Sequence, residues 1–444
     1  MNLPGPVGQH EAEREVLLMH TRALLSAIAV CIASGAAAML PLGAAAKDTA
    51  PVLDAKEQLG KAIFFDKISS PDTMACADCH APATGWTGPI PGVNNNGSVY
   101  SGAVPQRFGN RKPPSAGYAT LSPIFHFDKK EKLFVGGNFW DGRATGEALG
   151  NPAADQARGP FLNPVEQHNY DKTVVCEQVA AADYASLFLP AWGAPADCSP
   201  EGVELTYDRI ALSIAAFEAS REVNRFSSKY DAYLAGKAKL TAQEKRGLDL
   251  FEGQGQCAAC HMSEPGPNGE PPLFTDFTFD NLGVPRNPEN PFYDMDTVYL
   301  EDGSPINPEG ENWVDPGLGG FLATRTEWYR RAAENRGKQK VPTLRNVGLA
   351  QGLSTPKAYM HNGYFKTLKG VVNFYNTRDV KMVCPDAKFT TEKDALGMSC
   401  WPQPEVMANV NASELGNLGL TSEDEDAIVA FMLTLSDGYF DPKQ

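Results

Sequence analysis

Apolar positions recur at helical spacing in several stretches of this chain and lose all periodicity in one long stretch between them. Residues 205–226, LTYDRIALSIAAFEASREVNRF, place Leu205, Ile210, Ile214 and Phe217 at helical intervals, which predicts a core-facing helix. Residues 421–435, TSEDEDAIVAFMLTL, open with hydroxyls and four acids and then turn apolar. Acids at that end face the positive pole of a helix dipole, so a C-terminal helix is expected. Two shorter runs share a pattern of Gly and Phe: EQLGKAIFFD (57–66) and EKRGLDLFEG (244–253). Thr241 and Glu244 form a capping box that starts the second. Residues 263–320 are rich in Pro, Gly, Asn and Asp with little periodicity, the mark of a functional or covering loop. The expected fold class is mostly α, with long irregular loops and short strands at most.

The two shorter runs each lead into a CxxCH motif, CADCH (76–80) and CAACH (257–261). Downstream the echo continues: NRKPPS (110–115) matches VPTLRN (341–346), and Phe139-Trp140-Asp141-Gly142 matches Met360-His361-Asn362-Gly363. This implies two related domains, 47–237 and 238–444. The N-terminus reads as an export leader. Residues 23–46 carry no charge, follow His20 and Arg22, and end in Ala44-Ala45-Ala46, so cleavage is expected near Ala46. The polar, acidic segment before them is unusual for a leader and makes Met19 the alternative start. An uncleaved anchor is the competing reading, because a run of that length can span a bilayer. The small residues and Pro41 oppose it, and no stable membrane anchor is expected.

The 444 residues suit two or three domains of ordinary size. A net charge of −15 argues against a nucleic-acid partner and is compatible with a basic protein partner. Of nine cysteines, Cys31 lies in the leader and four belong to the CxxCH motifs. The other four fall into local pairs, Cys176/Cys198 and Cys384/Cys400, expected as disulfides in an exported protein. All of this points to the periplasm.

In a CxxCH motif two thiols add to the haem vinyl groups and the adjoining His is placed to ligate iron. Zinc binding is the competing reading, weakened by a His adjoining each motif and by the export signal. Two covalently bound haem c groups are therefore expected, on Cys76, Cys79 and His80 and on Cys257, Cys260 and His261. Of seven histidines, His10 and His20 fall in the leader, leaving His126, His168 and His361 for other roles. No His occurs between residues 80 and 126.

The blocks LGKAIFFD before CADCH, FWDGRA (139–144), DQARGPFLNPVE (155–166) and VPTLRN…YMHNG…VVNFYN (341–376) stand in one order. In that order the chain resembles the bacterial di-haem cytochrome c peroxidase family, which includes the MauG-type enzymes, over about residues 50–435. The resemblance implies a mostly α fold of two cytochrome c-like haem domains. It implies a peroxidatic N-terminal haem and a six-coordinate, electron-exchanging C-terminal haem. Cytochrome c peroxidases carry a Met ligand fourteen residues after the His of the Y-x-H-x-G motif, and MauG-type enzymes a Tyr; here the position is Tyr375. Met360 or Met382 as the ligand is the competing reading. The loop after CADCH lacks the distal His found in many family peroxidases, which implies an open iron. His126 is the histidine left that could swing in, and reads more simply as a loop residue.

By the same resemblance Gln156 and Glu166 are the distal catalytic pair, with Pro160 between them as in MauG-type enzymes. Glu166 is the general base and then acid for the peroxide proton. Trp140 matches the Trp between the haems, and His361 a structural position near the second haem. The family's interdomain calcium uses an Asn in R-N-x-P and a T-x-P stretch. Here these read Arg111-Lys112-Pro113-Pro114 and Thr355-Pro356-Lys357-Ala358, and two lysines at would-be cation ligands argue against that site. The implied function is reduction of hydrogen peroxide with electrons from a small cytochrome c or cupredoxin. The alternatives are a MauG-like enzyme oxidising Trp or Tyr side chains of a partner protein, and a non-enzymatic di-haem electron carrier.

Overall fold

The computed structural model describes residues 52–300, 303–350 and 357–439. The expected leader, with its expected cleavage site and the alternative start at Met19, and the Thr355–Pro356 pair lie outside the described residues. Helices of the fold include α1 (Ala55–Phe65), α2 (Pro152–Leu162), α3 (Lys172–Ala181), α4 (Val203–Ala219), α5 (Lys229–Leu234), α6 (Ala242–Glu252), α7 (Leu368–Thr377), α8 (Glu392–Met398) and α9 (Ser422–Leu433). Among the described residues strand is confined to three short pairs: β1 (His126–Asp128) with β2 (Leu133–Val135), β3 (Phe279–Asp280) with β4 (Gln339–Lys340), and β5 (Met382–Val383) with β6 (Cys400–Trp401). Among the described residues no helix is long and apolar enough to cross a membrane.

Two apolar clusters organise these helices. In the first, α1, α2 and α3 pack on α4 through Leu59, Phe64, Phe161, Val175, Ile210 and Phe217. In the second, α6 and α7 pack on α9 through Phe251, Phe374, Ile428 and Phe431. The two Gly/Phe runs have a common structural reason. A Cβ on Gly60 would lie 1.8 Å from the Ser213 carbonyl oxygen of α4, and one on Gly247 1.9 Å from that of Ala427 of α9. Only glycine lets each pair of helix backbones approach so closely. One turn later Phe64 and Phe251 are fully buried.

Local capping follows the sequence. Thr241 and Glu244 make the expected capping box, and Thr421 with Asp424 makes another at the start of α9. The helix expected over 205–226 runs from Val203 and ends at Ala219. Leu205 does not join its buried face and is 54 % exposed. Its spacing of five from Ile210 rotates it off the stripe that Ile210, Ile214 and Phe217 share, and Thr206 and Tyr207 are buried in its place. Both expected disulfides are formed, Cys176–Cys198 and Cys384–Cys400. The aperiodic stretch 263–320 holds little regular structure. Its Phe292, Tyr293, Met295 and Val298 pack against Val165, so it covers the turn that carries Glu166.

Arg345 is the most completely buried cation with a paired carboxylate in the second half. Its Nη1 and Nη2 donate to the Asp231 carboxylate at 3.0 and 2.8 Å, and its Nε donates to the Pro272 carbonyl at 2.8 Å. Its guanidinium lies 4.5 Å from the Phe226 ring. Arg345→Ala leaves Asp231 without its charge partner, at an expected cost of about 3–5 kcal/mol. A lowered urea midpoint at unchanged slope would show it, and an unchanged midpoint would contradict it.

Candidate active site: two cavities with a common wall

Each CxxCH motif is a single helical turn. The His80 amide donates to the Cys76 carbonyl at 3.0 Å, and the His261 amide to the Cys257 carbonyl at 2.9 Å. This turn puts both thiols and the imidazole of a motif against one cavity. The first cavity, about 640 Å³, is lined by Cys76, Cys79 and His80; the second, about 230 Å³, by Cys257, Cys260 and His261. The four thiols are not engaged in disulfides.

The imidazoles are pre-oriented. His80 Nδ1 lies 3.2 Å from the Trp86 carbonyl oxygen, and His261 Nδ1 lies 2.8 Å from that of Phe274. Each carbonyl accepts the Nδ1 proton, leaving the Nε2 lone pair for a metal. Trp86 is itself fixed by edge contacts with Phe64 and Phe217. Burial lowers the His80 pKa to about 4, so the ring is neutral at physiological pH. Free thiols, oriented imidazoles and adjacent cavities are the donor set that haem c requires, and both sites fit it.

On the first cavity the fold brings Gln156, Glu166 and Trp140 together with the Cys76–His80 motif. Gln156 stands on α2, and Glu166 follows that helix in a turn closed by the Glu166 amide on the Asn163 carbonyl. Asn163 Nδ2 donates to Glu166 Oε2 at 2.7 Å. Burial raises the Glu166 pKa, against the opposing pull of Arg143 and the Asn163 bond. Among the described residues His80 is the single histidine on that cavity's lining. His126 is exposed on β1 with its Nδ1 2.8 Å from the Ile124 carbonyl oxygen, and His168 lies outside the lining.

In the second cavity Tyr375, on α7, and Met360 meet, the phenol oxygen 3.9 Å from the thioether sulfur. Met382 is 66 % exposed on β5 and does not line the cavity. Burial pushes the Tyr375 phenol pKa well up, so the ring is a neutral phenol unless a cation meets its oxygen. His361 also lines this cavity, and burial lowers its pKa to about 4.

Trp140 belongs to both linings, together with Lys112, Lys340 and the Val341–Thr343 segment that follows β4. It is 8 % exposed and its ring centroid is 6.4 Å from that of His361. Sequence reasoning missed the charged groups behind it. Asp141 bridges Arg143 at 2.8 Å to Arg111 at 2.6 Å, and Arg111 holds Asp315 at 2.6 Å beside His361. Burial alone would raise Asp315, but Arg111 outweighs it and holds the carboxylate far below its usual range. Glu218, on α4, was also missed; it lines the first cavity, and burial raises its pKa to about 8. Arg143 and Asp141 stood inside the FWDGRA block, whereas Glu218 gave no signal beyond an acid on an apolar helix face.

Comparison with known proteins agrees with this arrangement. Residues 54–239 match the family described as di-haem cytochrome c peroxidase. The methylamine utilization protein MauG of Paracoccus denitrificans is 34 % identical over 413 residues, 91 % of this chain and 95 % of the relative. The cytochrome c551 peroxidase of Pseudomonas aeruginosa is 29 % identical over 342 residues, 76 % of each chain. The crystal structure of the di-haem peroxidase BthA from Burkholderia thailandensis is similar with a TM-score of 0.66, at 28 % identity over 86 % of each chain. The chain is an enzyme of the di-haem oxidoreductase type and belongs to the di-haem cytochrome c peroxidase family, which includes MauG.

Proposed function

We propose that this chain is a periplasmic peroxidase with two haem-binding halves, 47–237 and 238–444, that reduces hydrogen peroxide on the side of the first cavity facing Glu166 and Gln156. The observation that carries the reading is the meeting of Glu166, Gln156 and the Cys76–His80 motif on one cavity whose single lining histidine is His80. When bound, the haems supply an iron at which peroxide is reduced and a second iron that stores an oxidising equivalent. His80 and His261 would hold them from one side, with Tyr375 as second ligand in the second cavity.

Hydrogen peroxide takes up two electrons and two protons and leaves as two waters. Glu166, oriented by Asn163, takes the proton from one peroxide oxygen and returns it to the departing oxygen. Gln156 can hold the substrate by its amide. Trp140, common to both cavity walls, lies where an oxidising equivalent can pass between them. A small cytochrome c or cupredoxin would return the electrons. Periplasmic location is supported by the leader reading and the two disulfides.

A second reading keeps this chemistry and takes the electrons from Trp or Tyr side chains of a partner protein, as in a MauG-like enzyme. Tyr375 in the second cavity favours it. A non-enzymatic carrier would need a strong second ligand in the first cavity, and the lining offers no second histidine.

The test is EPR of the as-isolated ferric protein before and after one equivalent of peroxide. A high-spin signal that is replaced by a long-lived oxidised state is expected; two low-spin signals without reaction would contradict the reading. Turnover with reduced cytochrome c then separates the two enzymatic readings.

A further inference from the structure

We propose that buried ammonium groups take the place of a metal ion in the wall between the two cavities, and that Lys112 is a positioning residue for Trp140. The family resemblance implies a calcium ion there, and the residues present do not fit one. Lys112 and Lys357 stand in the two stretches from which that ion would draw its ligands, and they are 8 % and 5 % exposed.

Their partners are neutral oxygens. Lys112 Nζ donates to Thr87 Oγ1 at 3.0 Å and to the Pro113 carbonyl at 3.1 Å. Lys357 Nζ donates to the Asn346 carbonyl at 2.9 Å. Carbonyl and hydroxyl oxygens are what a hard cation would recruit, but here an ammonium already claims them. Among the described residues a divalent ion would meet two basic groups there and no carboxylate acting on either, so its binding would be opposed by repulsion rather than driven by attraction. Burial, and for Lys357 also the charge of Lys112, lowers these lysines to about 8 and about 7. At neutral pH Lys112 is therefore mostly protonated, while Lys357 sits close to its own titration point.

The backbones of Lys112 and Lys340 fix Trp140. Trp140 Nε1 donates to the Lys112 carbonyl at 2.8 Å, and the Lys340 amide donates to the Trp140 carbonyl at 2.7 Å. Lys340 repeats the pattern, its Nζ held by Ser122 Oγ at 2.8 Å, Asn138 Oδ1 at 3.0 Å and the Gly137 carbonyl. The Lys112 ammonium pins its own loop, and the carbonyl of that loop holds the ring that spans both cavities.

The proposal rests on haem occupancy of both sites, which pyridine haemochrome analysis checks first and separately. The haem-loaded protein is exposed to calcium, desalted and analysed for metal, then treated with EGTA. Calcium well below one ion per chain, with unchanged ferric EPR after EGTA, is expected. Lys112→Met should bind haem normally but give a several-fold lower yield of the state in which both haems are oxidised by one peroxide. Stoichiometric calcium whose removal alters the EPR, or a wild-type yield in Lys112→Met, would overturn the proposal. Should that variant not fold, the metal and chelator measurements on the unaltered protein decide alone.

Discussion

Glu166→Gln is expected to lower the second-order rate constant for hydrogen peroxide by about a hundred- to ten-thousandfold, the usual contribution of a positioned general acid–base group. The amide keeps the size of the side chain and can keep the Asn163 contact, but it cannot accept the peroxide proton. The ferric EPR, haem content and urea midpoint should therefore stay close to those of the unaltered protein. The pH profile gives a second readout. Burial raises the Glu166 pKa, so the base form appears only above the ordinary carboxylate range, which lies near about 4.3. The rate constant should rise with pH through that shifted value in the unaltered protein, and this limb should vanish in Glu166→Gln. A variant that reacts at full rate with the limb intact would remove Glu166 from the mechanism.

Tyr375→Met is expected to raise the reduction potential of the second haem by some tenths of a volt, since axial ligands move haem potentials over roughly 0.8 V. The phenol is buried, and burial opposes its ionisation despite the nearby Arg378. A ferric iron at its oxygen would reverse that balance, because an ion's own charge dominates its surroundings. As a phenolate Tyr375 would neutralise iron charge and favour the oxidised states, whereas a thioether would favour the reduced one. The variant should also shorten the life of the peroxide-oxidised protein. Spectroelectrochemistry and EPR read both effects. Met360 makes the test decisive, because its sulfur lies 3.9 Å from the phenol oxygen in the same cavity. Should Met360 be the ligand, Tyr375→Met would leave the spectrum unchanged and Met360→Leu would alter it.

Much of the local structure was legible before any tertiary information. The capping box at Thr241, the hydroxyl-and-acid start of α9 and the disulfide pairs all depend on residues close in sequence. Leu205 shows the limit. It is apolar and near the stripe, but a spacing of five residues rotated it to the surface, and its position at the first turn left it uncovered. The Gly60 and Gly247 contacts were visible only as a shared letter in two echoing runs. Their reason, the carbonyls of Ser213 and Ala427, lies on helices far along the chain.

The sequence by itself determined the two haem-attachment motifs, the family resemblance and the chemical types available for the site. The motifs follow from spacings of one to four residues, where backbone geometry fixes which side chains share a face, and the resemblance from the order of the motif blocks along the chain. The tertiary structure alone decided that Glu166 and Gln156 share a cavity with His80, that Met360 meets Tyr375 while Met382 faces solvent, and that Lys112, Trp140 and Lys340 build one wall. Convergence of this kind, and the burial that shifts each group's protonation, arise when distant segments pack together and exclude water. No local spacing encodes that exclusion, because it belongs to the assembled core.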